Sequence, residues 1–433
     1  MTPRYKAVKG TRDVFPPESD RFAEAERIAR EVFSSYGYGE VRTPCLEPTE
    51  LFARSVGETT DIVNKEMYTF ADRKGRSLTL RPENTAGVVR AVIEGGLAAG
   101  PMPLRLWYAG PQFRYERPQA GRYREFRQIG VELLGAGSPA GEAEVLRMLF
   151  AFLRALGFRS LSVSLNSVGT AESRDAFGKA LRRHLEPKAA AFGDDDRRKL
   201  TDNPLRLFDS KDPAVRAALE GSPRTLDFLD DASRRHHEEV RRLLTEAGIP
   251  FSDNPSLVRG LDYYTRTVFE VVSEDLGAQD AILGGGRYDN LVEALGGPAL
   301  PAIGFAIGED RLLQAAPFVP AARGAVLVLP RGAEDLEDAL ALAEEIRDAR
   351  RGVSVEVDLL ARGFKKGMAR ANALFQEAGV RGLDPRRMFA VLLGEQERAQ
   401  ATVTVKNLES GEQSMVRRTE LKAWFAGRLA EGA

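Results

Sequence analysis

Apolar residues at helical spacing define the first predicted element. Over residues 19–36 they fall on one face, which we interpret as the buried face of a helix, and they are Phe22, Ala25, Ile28, Ala29, Val32 and Phe33. A strand-like run over residues 38–43 then ends at Pro44. Between about residues 78 and 135, short β-branched and aromatic runs alternate with turns that are too short for crossover helices. We therefore predict antiparallel strands in this part of the chain.

A charged, helix-rich stretch interrupts the strands. Residues 168–245 contain runs such as DDDRRK and RRHHEEVRR and few strand-forming residues. The elements predicted around this stretch are a helix at 140–157, strands at 160–166, 257–272 and 280–284, and a strand followed by a helix at 301–316. We predict one domain over residues 1–320 with a helical insertion at about 168–245.

The pattern changes again after the segment FVPAARG at 318–324. Buried strands and amphipathic helices now alternate, and they are a strand at 325–330, a helix at 334–351, a strand at 353–360, a helix at 365–378, and strands at 388–394 and 402–408. Alternation at these spacings predicts a small α/β domain on a mixed or parallel sheet. We place this second domain at residues 324–433.

Composition excludes several classes of protein. The chain has 433 residues, of which 43% are hydrophobic and 29% charged, and its net charge of -1 shows no overall basicity that would indicate a nucleic-acid partner. A single cysteine, Cys45, rules out an internal disulfide framework, and with three histidines we expect no protein-bound zinc. No run of 18 apolar residues is present, and the N-terminus has no apolar leader-like region. We expect a cytoplasmic protein without a membrane partner.

The strongest candidate for chemistry is an arginine-rich block. Six arginines lie between residues 105 and 127, against Glu116 and Glu125, and they are Arg105, Arg114, Arg117, Arg122, Arg124 and Arg127. An excess of positive charge on two strands and their loop is costly unless an anion is bound there. Guanidinium groups suit phosphate oxygens because they are planar, always charged and bidentate. The alternative is a solvated hairpin with scattered charge.

Four further blocks are weaker when taken singly. In LRPENTAG, the charged pair Arg81 and Glu83 lies at a turn where it could meet a small polar ligand, although a plain strand-to-helix turn is equally consistent. In LVRGLDYYT, strand alternation would place Arg259, Leu261, Tyr263 and Thr265 on one face and Val258, Asp262 and Tyr264 on the other. The glycines at 284–286 allow close approach of the backbone to a ligand, and Arg311 lies near a helix N-terminus that would favour phosphate.

Together these blocks resemble the histidyl-tRNA synthetases, a family of class II aminoacyl-tRNA synthetases. The resemblance covers essentially the whole chain and follows the family's order of blocks, which are KGTRDVFPPE, TPCLEPTELF, TLRPENTAG, FRYERPQAGRYREFRQIGVELLG, LVRGLDYYTRTVFE, LGGGRYDNLV and AIGFAIGEDRLL. The segment NPLRLFDSKD (203–212), in the insertion, is also similar to the family. It implies an α+β catalytic domain, built on an antiparallel sheet flanked by helices, with a helical insertion. It also implies a C-terminal α/β anticodon-binding domain and a homodimer, with the helix at 19–36 and Pro44 at the interface.

The resemblance also assigns an ATP site and a reaction. ATP and L-histidine would form histidyl-adenylate and pyrophosphate, and histidine would then be transferred to the 3' end of tRNA(His). Mg²⁺ would bind with the phosphates of ATP. The implied ATP-binding residues are Arg114 on the α-phosphate, Glu116 at the adenine end, Arg122 on the outer phosphates, Phe126 under the adenine and Arg311 on the γ-phosphate.

The implied histidine site draws on residues from four blocks. Glu83 and Thr85 would take the α-amino group, with Gln128 in the same site. Arg259 would reach both the histidine carboxylate and the α-phosphate, so that Arg259 and Arg114 are the implied catalytic residues. The imidazole would be read by Glu132, Tyr264 and Tyr288, with Tyr263 in the same pocket.

Two other interpretations compete with the synthetase. A histidine-binding regulatory subunit of ATP phosphoribosyltransferase shares the core but lacks the anticodon-binding domain and the catalytic arginines, which this chain has. The intact ATP and histidine blocks also argue against an RNA-binding module with an inactive core. Residues 362–387 carry an excess of five positive charges, which fits contact with RNA or a solvated helix, and VRGLDPRRMF is longer than usual in the family before its strand.

Overall fold

The structure, a computed structural model, describes residues 5–57, 60, 62–118, 121–259, 261–273 and 281–430. Its contacts divide the chain into two units. The first contains Met1–Asp13 and Phe22–Phe318, and the second contains Val14–Arg21 and Val319–Ala433. The larger part of the second unit therefore begins inside the FVPAARG segment, where the predicted pattern of strands and helices changes.

The first unit is built from short strands and ten described helices. Its strands are β1 (Gly39–Glu40), β2 (Leu46–Pro48), β3 (Tyr68–Ala71), β4 (Ser77–Leu80), β5 (Leu104–Phe113), β6 (Glu125–Leu134), β7 (Leu161–Ser167), β8 (Phe251–Asp253), β9 (Thr265–Ser273), β10 (Ala281–Arg287) and β11 (Ala302–Gly308). Its α-helices are α1 (Glu18–Ser35), α2 (Thr49–Val56), α3 (Thr85–Glu94), α4 (Ala140–Ala155), α5 (Ala171–Leu185), α6 (Asp194–Asp202), α7 (Pro213–Leu219), α8 (Asp231–Glu246), α9 (Leu291–Ala294) and α10 (Glu309–Ala315). Single helical turns are Ile62–Glu66, Leu97–Ala99, Glu186–Ala191, Pro204–Asp209 and Thr225–Phe228.

Eight of these strands form one sheet in the order β1-β5-β6-β11-β10-β9-β7-β8. Neighbouring strands are antiparallel from β5 to β7, and only the short edge strands β1 and β8 pair in parallel. The antiparallel sheet flanked by helices is confirmed. A second sheet, in the order β2-β4-β3, is also antiparallel.

Alternation along β5 and β6 gives the large sheet two different faces. On one face Trp107 packs against Phe33 of α1, with ring centroids 5.8 Å apart, and Phe33 in turn contacts Phe152 of α4 at 5.2 Å. The opposite face carries Tyr108 and Glu132, which are both buried. The first face is an apolar core, and polar groups are concentrated on the second.

The strand predicted at 257–272 is wrong in its first half. β9 begins only at Thr265, and residues 257–259 and 261–264 form a loop, so the predicted two-faced alternation around Arg259 does not exist. The apolar residues of this loop are buried by folding over the sheet, because Leu257 and Tyr264 pack with Val168 and Val268. The Asn166 side chain fixes the loop by donating to the Leu257 carbonyl at 2.9 Å.

The charged stretch forms a helical body with its own apolar core. Side chains from α5, α6 and α7 make this core, and they are Phe177, Leu181, Leu185, Leu200, Val215 and Ala218. The last helix of the stretch, α8, packs instead against α4 and the large sheet. His236 of α8 pairs with Glu142 of α4 at 2.7 Å. The limits of the insertion remain a prediction.

The second unit is a five-stranded mixed sheet with helices. Its strands are β12 (Arg323–Pro330), β13 (Ser354–Val357), β14 (Leu383–Leu393), β15 (Thr402–Asn407) and β16 (Gln413–Arg417), and its α-helices are α11 (Leu336–Ala349), α12 (Gly363–Gln376), α13 (Glu395–Ala399) and α14 (Leu421–Arg428), with single turns at Ala333–Asp335 and Arg418–Glu420. The order is β13-β12-β14-β15-β16, parallel across the first three strands and antiparallel across the last three. The long segment before the predicted strand is a bulge within β14, because the register jumps from Leu383 to Met388 while β12 advances from Arg323 to Ala325.

Candidate active site

Glycine forms much of the polar face of the large sheet. A Cβ on Gly130 would collide with the Tyr108 ring, and a Cβ on Gly304 would overlap the Glu132 carboxylate. A Cβ on Gly286 would lie 2.8 Å from the Tyr264 ring. Because these positions have no side chains, large polar and aromatic groups from neighbouring positions lie flat over the strands and remain buried.

A buried carboxyl group lies over the glycine positions of this polar face. Glu132 of β6 is 1% exposed, and it accepts hydrogen bonds from the Thr85 hydroxyl at 2.7 Å and from the Tyr288 hydroxyl. Burial raises the pKa of the Glu132 carboxyl to about 8, against the opposing effect of these two bonds. The carboxyl is therefore largely protonated at neutral pH without a ligand, and a ligand that brings N–H donors or positive charge favours its ionised form.

A second buried carboxylate lies at the start of α3. Glu83 accepts hydrogen bonds from the backbone N–H groups of Thr85 at 2.6 Å and Ala86 at 3.0 Å, and burial raises its pKa. Each oxygen uses one protein donor, which leaves acceptor capacity for an ammonium group. Nearby on the same face, Gln128 is 8% exposed and its side-chain oxygen has no partner among the described residues. Buried acceptors of this kind fit an amino-acid headgroup.

Three tyrosines pack together beside the buried Glu132 carboxyl, and they form one side of the pocket around it. The rings of Tyr263 and Tyr288 are 5.6 Å apart, and those of Tyr263 and Tyr264 are 4.8 Å apart. Tyr263 also packs against the buried cluster that contains Val88 and Tyr108. The loop at 261–264 therefore contributes aromatic walls to the pocket that Glu132 lines.

A cavity of about 360 Å³ is rich in arginine, and it lies close to Glu83 because Arg114 in its lining donates to the carbonyl of the preceding residue, Pro82. Its lining includes Arg114, Arg122, Arg259 and Arg311, together with Glu116, Glu270 and Phe126. The Arg114 guanidinium donates to the Pro82 carbonyl at 2.8 Å and lies 5.3 Å from the centre of the Phe126 ring. Four guanidinium groups beside a half-buried aromatic ring match a nucleotide that carries several phosphates.

Arg259 lies at the boundary between two cavities. Its guanidinium forms an ion pair with Glu270 of β9 and lies directly over Gly284 of β10, where a Cβ would overlap it. A second cavity, of about 390 Å³, lies beside α5 and is also lined by Arg259, together with Arg174 and Arg206. Arg259 is thus placed to contact ligands from more than one direction.

Comparison with known protein families identifies the chain. Residues 10–312 match the family model described as histidyl-tRNA synthetase, and residues 325–428 match an anticodon-binding domain. The chain belongs to the histidyl-tRNA synthetase family.

Individual members of the family are similar over nearly their whole length. The histidine–tRNA ligase of Synechococcus elongatus is 47% identical, over 96% of this chain and 93% of its own length. The histidine–tRNA ligase of Halorhodospira halophila is also 47% identical, over 95% of both chains. The crystal structure of apo Staphylococcus aureus histidyl-tRNA synthetase superimposes with a TM-score of 0.78, at 34% identity, and covers 98% of this chain and 100% of that one.

In this member of the histidyl-tRNA synthetase family, the structure brings the implied site residues into two adjoining groups. Glu83, Thr85, Glu132 and Tyr288 lie around one buried pocket, with Gln128, Tyr263 and Tyr264 beside it. The implied ATP residues share the larger cavity, where Glu116 lies 3.9 Å from Arg114 and 3.7 Å from Arg122. Their individual roles remain predictions.

Part of the argument from the arginine-rich block is wrong. Arg105 pairs with Glu144 at 2.9 Å, and Arg127 pairs with Glu309 at 2.9 Å as well as with Glu26. These two cations are balanced by acids far away in sequence, so they do not require an anion. Arg81 is also misplaced, since its side chain donates to backbone carbonyls and to Thr43 and Asn84 rather than facing a ligand.

Sequence reasoning missed two features of the site. Glu270 is the described ion-pair partner of Arg259, and its only sequence signal is an acid in an otherwise apolar strand. Arg287 is fully buried and forms a two-pronged ion pair with Glu142 at 2.6 Å. Because Arg287 precedes Tyr288, this pair fixes the strand end from which Tyr288 reaches Glu132.

Gly284→Ala tests whether the absence of a side chain at Gly284 is needed to position the Arg259 guanidinium. The new Cβ would displace the guanidinium, so we expect kcat/KM for histidine-dependent ATP–pyrophosphate exchange to fall about 10²-fold. The matched control is Gly193→Ala, where a Cβ meets nothing within 4 Å. Equal activity of both variants would show that the contact between Gly284 and Arg259 has no catalytic importance.

Proposed function

We propose that the chain is a histidine–tRNA ligase that works through the residues of the two adjoining groups. It activates L-histidine with ATP to histidyl-adenylate and pyrophosphate, and then transfers histidine to the 3' end of tRNA(His). The observation that carries this proposal is the arginine-rich cavity lined by Arg114, Arg259 and Arg311, which adjoins a buried pocket containing Glu83 and Glu132. A nucleotide and an amino acid would meet at Arg259.

The first step needs alignment more than acid–base chemistry. A carboxylate oxygen of histidine attacks the α-phosphorus, and the bond from that phosphorus to the bridging oxygen of the β-phosphate breaks as pyrophosphate leaves with the electron pair. The carboxylate is already ionised at neutral pH, so no general base is required. Arg114 and Arg259 would hold the two anions together and stabilise the charge that develops on the non-bridging oxygens.

The remaining ATP contacts follow from the lining of the same cavity. Arg122 and Arg311 would hold the outer phosphates, and Phe126 would stack on the adenine, with Glu116 at the adenine end. Mg²⁺ supplies further charge neutralisation when it is bound with the phosphates, and Glu116 and Glu270 are the carboxylates in the cavity lining. In the second step a terminal ribose hydroxyl of the tRNA attacks the acyl carbonyl, and AMP leaves.

Histidine specificity would come from paired polar groups in a buried pocket. Glu132 accepts from one imidazole nitrogen, while Tyr264 or Tyr288 supplies a hydroxyl to the other. Glu83 and Thr85 bind the α-amino group. An amino acid without two ring nitrogens would leave buried groups unpaired, and such sites discriminate by about 10⁴–10⁵ without editing.

A regulatory histidine-binding protein is the nearest competing function. A structure from Bacillus halodurans described as an ATP phosphoribosyltransferase regulatory subunit/histidyl-tRNA synthetase shares the fold, with a TM-score of 0.64 at 22% identity. The anticodon-binding domain at 325–428 favours catalysis, and so does the presence of Arg114, Arg259 and Arg311 in the lining of one cavity.

We also infer a cytoplasmic homodimer. The small sheet leaves apolar side chains exposed, with Leu46 44% and Phe70 46% accessible to solvent. Exposed apolar groups on both outer strands of this sheet favour an interface with a second copy. Light scattering should give twice the chain mass, and a monomer would contradict this part of the proposal.

None of the helices in the described ranges is long and apolar enough to cross a membrane.

Histidine-dependent ATP–pyrophosphate exchange tests the central function. All twenty amino acids are assayed in parallel with the full-length chain, and exchange is expected with histidine alone. Folded protein that shows no exchange with any amino acid would overturn the ligase function. Exchange with histidine but no charging of tRNA(His) would restrict the proposal to the first step.

The basic helix α12 provides a test of tRNA binding. Lys365 and Lys366 are exposed, and we expect Lys365→Glu combined with Lys366→Glu to raise the KM for tRNA while pyrophosphate exchange is unchanged. The logarithmic salt dependence of binding should weaken by about one per lysine. Lys422→Glu on α14 of the same unit is the control. Unchanged charging by the double variant would place the RNA surface elsewhere.

A further inference from the structure

Arg81 is a buried cation that the reaction scheme leaves without a role. It is 5% exposed, and its side chain donates to the Pro111 carbonyl, the Thr43 carbonyl and the Thr43 hydroxyl, each at 2.9 Å. It also donates to the Asn84 side-chain oxygen at 3.2 Å. Within the part of the chain that the structure describes, none of its hydrogen-bond partners is a carboxylate. Burial accordingly lowers the pKa of the Arg81 guanidinium.

The neutral partners of Arg81 lie on three separate segments. Thr43 belongs to the turn before Pro44, Pro111 lies near the end of β5, and Asn84 immediately precedes α3. One rigid guanidinium fork therefore joins the segment before Pro44, the end of β5 and the residue before α3. A buried cation without a carboxylate partner is costly, which argues that its geometry is needed.

The backbone around Arg81 leads directly to the catalytic groups. The N–H of Phe113 donates to the Arg81 carbonyl at 3.0 Å, and the next residue, Arg114, donates its Nε to the Pro82 carbonyl at 2.8 Å. On the other side, Glu83 and Thr85 flank Asn84. Any shift of the segment from Arg81 to Pro82 therefore moves both a support of Arg114 and the residues proposed to bind the α-amino group.

The sheet is shaped to accept this guanidinium. A Cβ on Gly110 would lie 2.7 Å from Arg81 Nη2, so that a side chain at this position of β5 would displace the guanidinium. The fit between Arg81 and Gly110 allows the same contact to be disturbed from either side. A substitution at Gly110 changes the position of the guanidinium and keeps its charge.

We propose that Arg81 is a positioning residue that fixes the end of β5 relative to the start of α3. It thereby sets the position of Arg114 relative to Glu83 and Thr85, the residues proposed to bind the α-amino group. This role rests on the proposed function of Arg114 in adenylate formation. Arg81 itself touches neither substrate.

The test uses Arg81→Lys and Gly110→Ala in the full-length chain. Lysine keeps the charge but cannot reach all three segments, and alanine displaces the guanidinium without removing it. We expect kcat for histidine-dependent pyrophosphate exchange to fall about 10- to 100-fold in both variants, with little change in the KM for histidine. Arg90→Lys is the control, because Arg90 forms its described ion pairs with Glu47 of β2 and Glu94 of α3.

Adenylate burst amplitude counts competent sites, so it separates a slower step from a smaller folded fraction. A reduced burst rate at full amplitude in both variants supports positioning. Loss of amplitude with an unchanged rate, or failure of both variants to fold, would show that Arg81 serves stability alone and overturn the proposal. Wild-type exchange with histidine must be present in the same assay, so that failure of the ligase function itself is recognised separately.

Discussion

Arg259→His should slow adenylate formation by about 10²–10³-fold, which is the usual cost of removing one preorganised donor to developing charge. The loss should appear mainly in kcat, because charge on the non-bridging oxygens grows in the transition state. Histidine and ATP binding should weaken much less, since each substrate retains other partners. Single-turnover measurement of adenylate formation gives the rate of this step directly.

The geometry around Arg259 explains why histidine cannot replace it. The guanidinium is held between Glu270 and the bare backbone of Gly284, on the boundary of the arginine-rich cavity. It remains charged at any working pH and presents a fork that can span two anions. An imidazole is shorter, is mostly neutral at pH 7.5, and cannot bridge the carboxylate and the α-phosphate.

Transfer of histidine to tRNA should be affected less than adenylate formation. By that step the carboxylate has become an acyl phosphate, and one of the two anions that Arg259 would bridge no longer exists. Arg242→His is a suitable control, because Arg242 is exposed on α8 and its ion-pair partners among the described residues, Glu239 and Glu246, lie on the same helix. Equal losses in both steps, or a loss confined to KM, would show that Arg259 only binds substrate.

Local patterns predicted the parts of the fold that local physics controls. The antiparallel strands β5 and β6 and the helical spacing in α1 both depend on neighbours only a few residues apart, and both predictions are confirmed. The same reasoning failed at residues 257–264. There Leu257 and Tyr264 are buried by contacts with Val168 and Val268 rather than by strand pairing, and periodicity alone cannot distinguish these two ways of burying apolar residues.

Counting charges along the sequence failed for a related reason, because the partners of an ion pair can lie far apart in the sequence. Arg105 and Arg127 contributed to the apparent excess of positive charge, yet their acidic partners Glu144 and Glu309 lie 39 and 182 residues away. Arg114 and Arg122 lie in the same block and do face the cavity. Their side chains could be separated from the structural arginines only once the strands were paired.

Glu132→Gln should weaken histidine binding and at the same time stabilise the ligand-free protein at high pH. The lost charge-assisted hydrogen bond corresponds to about 1.5–3 kcal/mol, or roughly 10- to 100-fold in the KM for histidine. ATP binding should change little, because Glu132 lies outside the arginine-rich cavity. Steady-state exchange with each substrate varied in turn measures both effects.

The effect of this substitution on stability has a definite pH dependence. The pKa of Glu132 rises from 4.5 to about 8 on folding, so the folded chain binds this proton more tightly than the unfolded chain. The stabilisation is complete below pH 4.5 and is lost as the pH rises to about 8. Glutamine does not ionise, so the melting temperature of the variant should rise relative to the wild type across this interval and level off above it.

Comparison with an exposed carboxylate isolates the contribution of burial. Glu94→Gln removes a carboxylate whose side chain is 72% exposed, and its melting temperature relative to the wild type should be nearly independent of pH over the same interval. Added histidine should raise the melting temperature of the wild type and of Glu94→Gln, but much less that of Glu132→Gln. A difference between Glu132→Gln and the wild type that does not vary from pH 5 to pH 9 would mean that Glu132 is already ionised in the free protein. The pocket would then offer histidine a carboxylate that needs no ligand to deprotonate it.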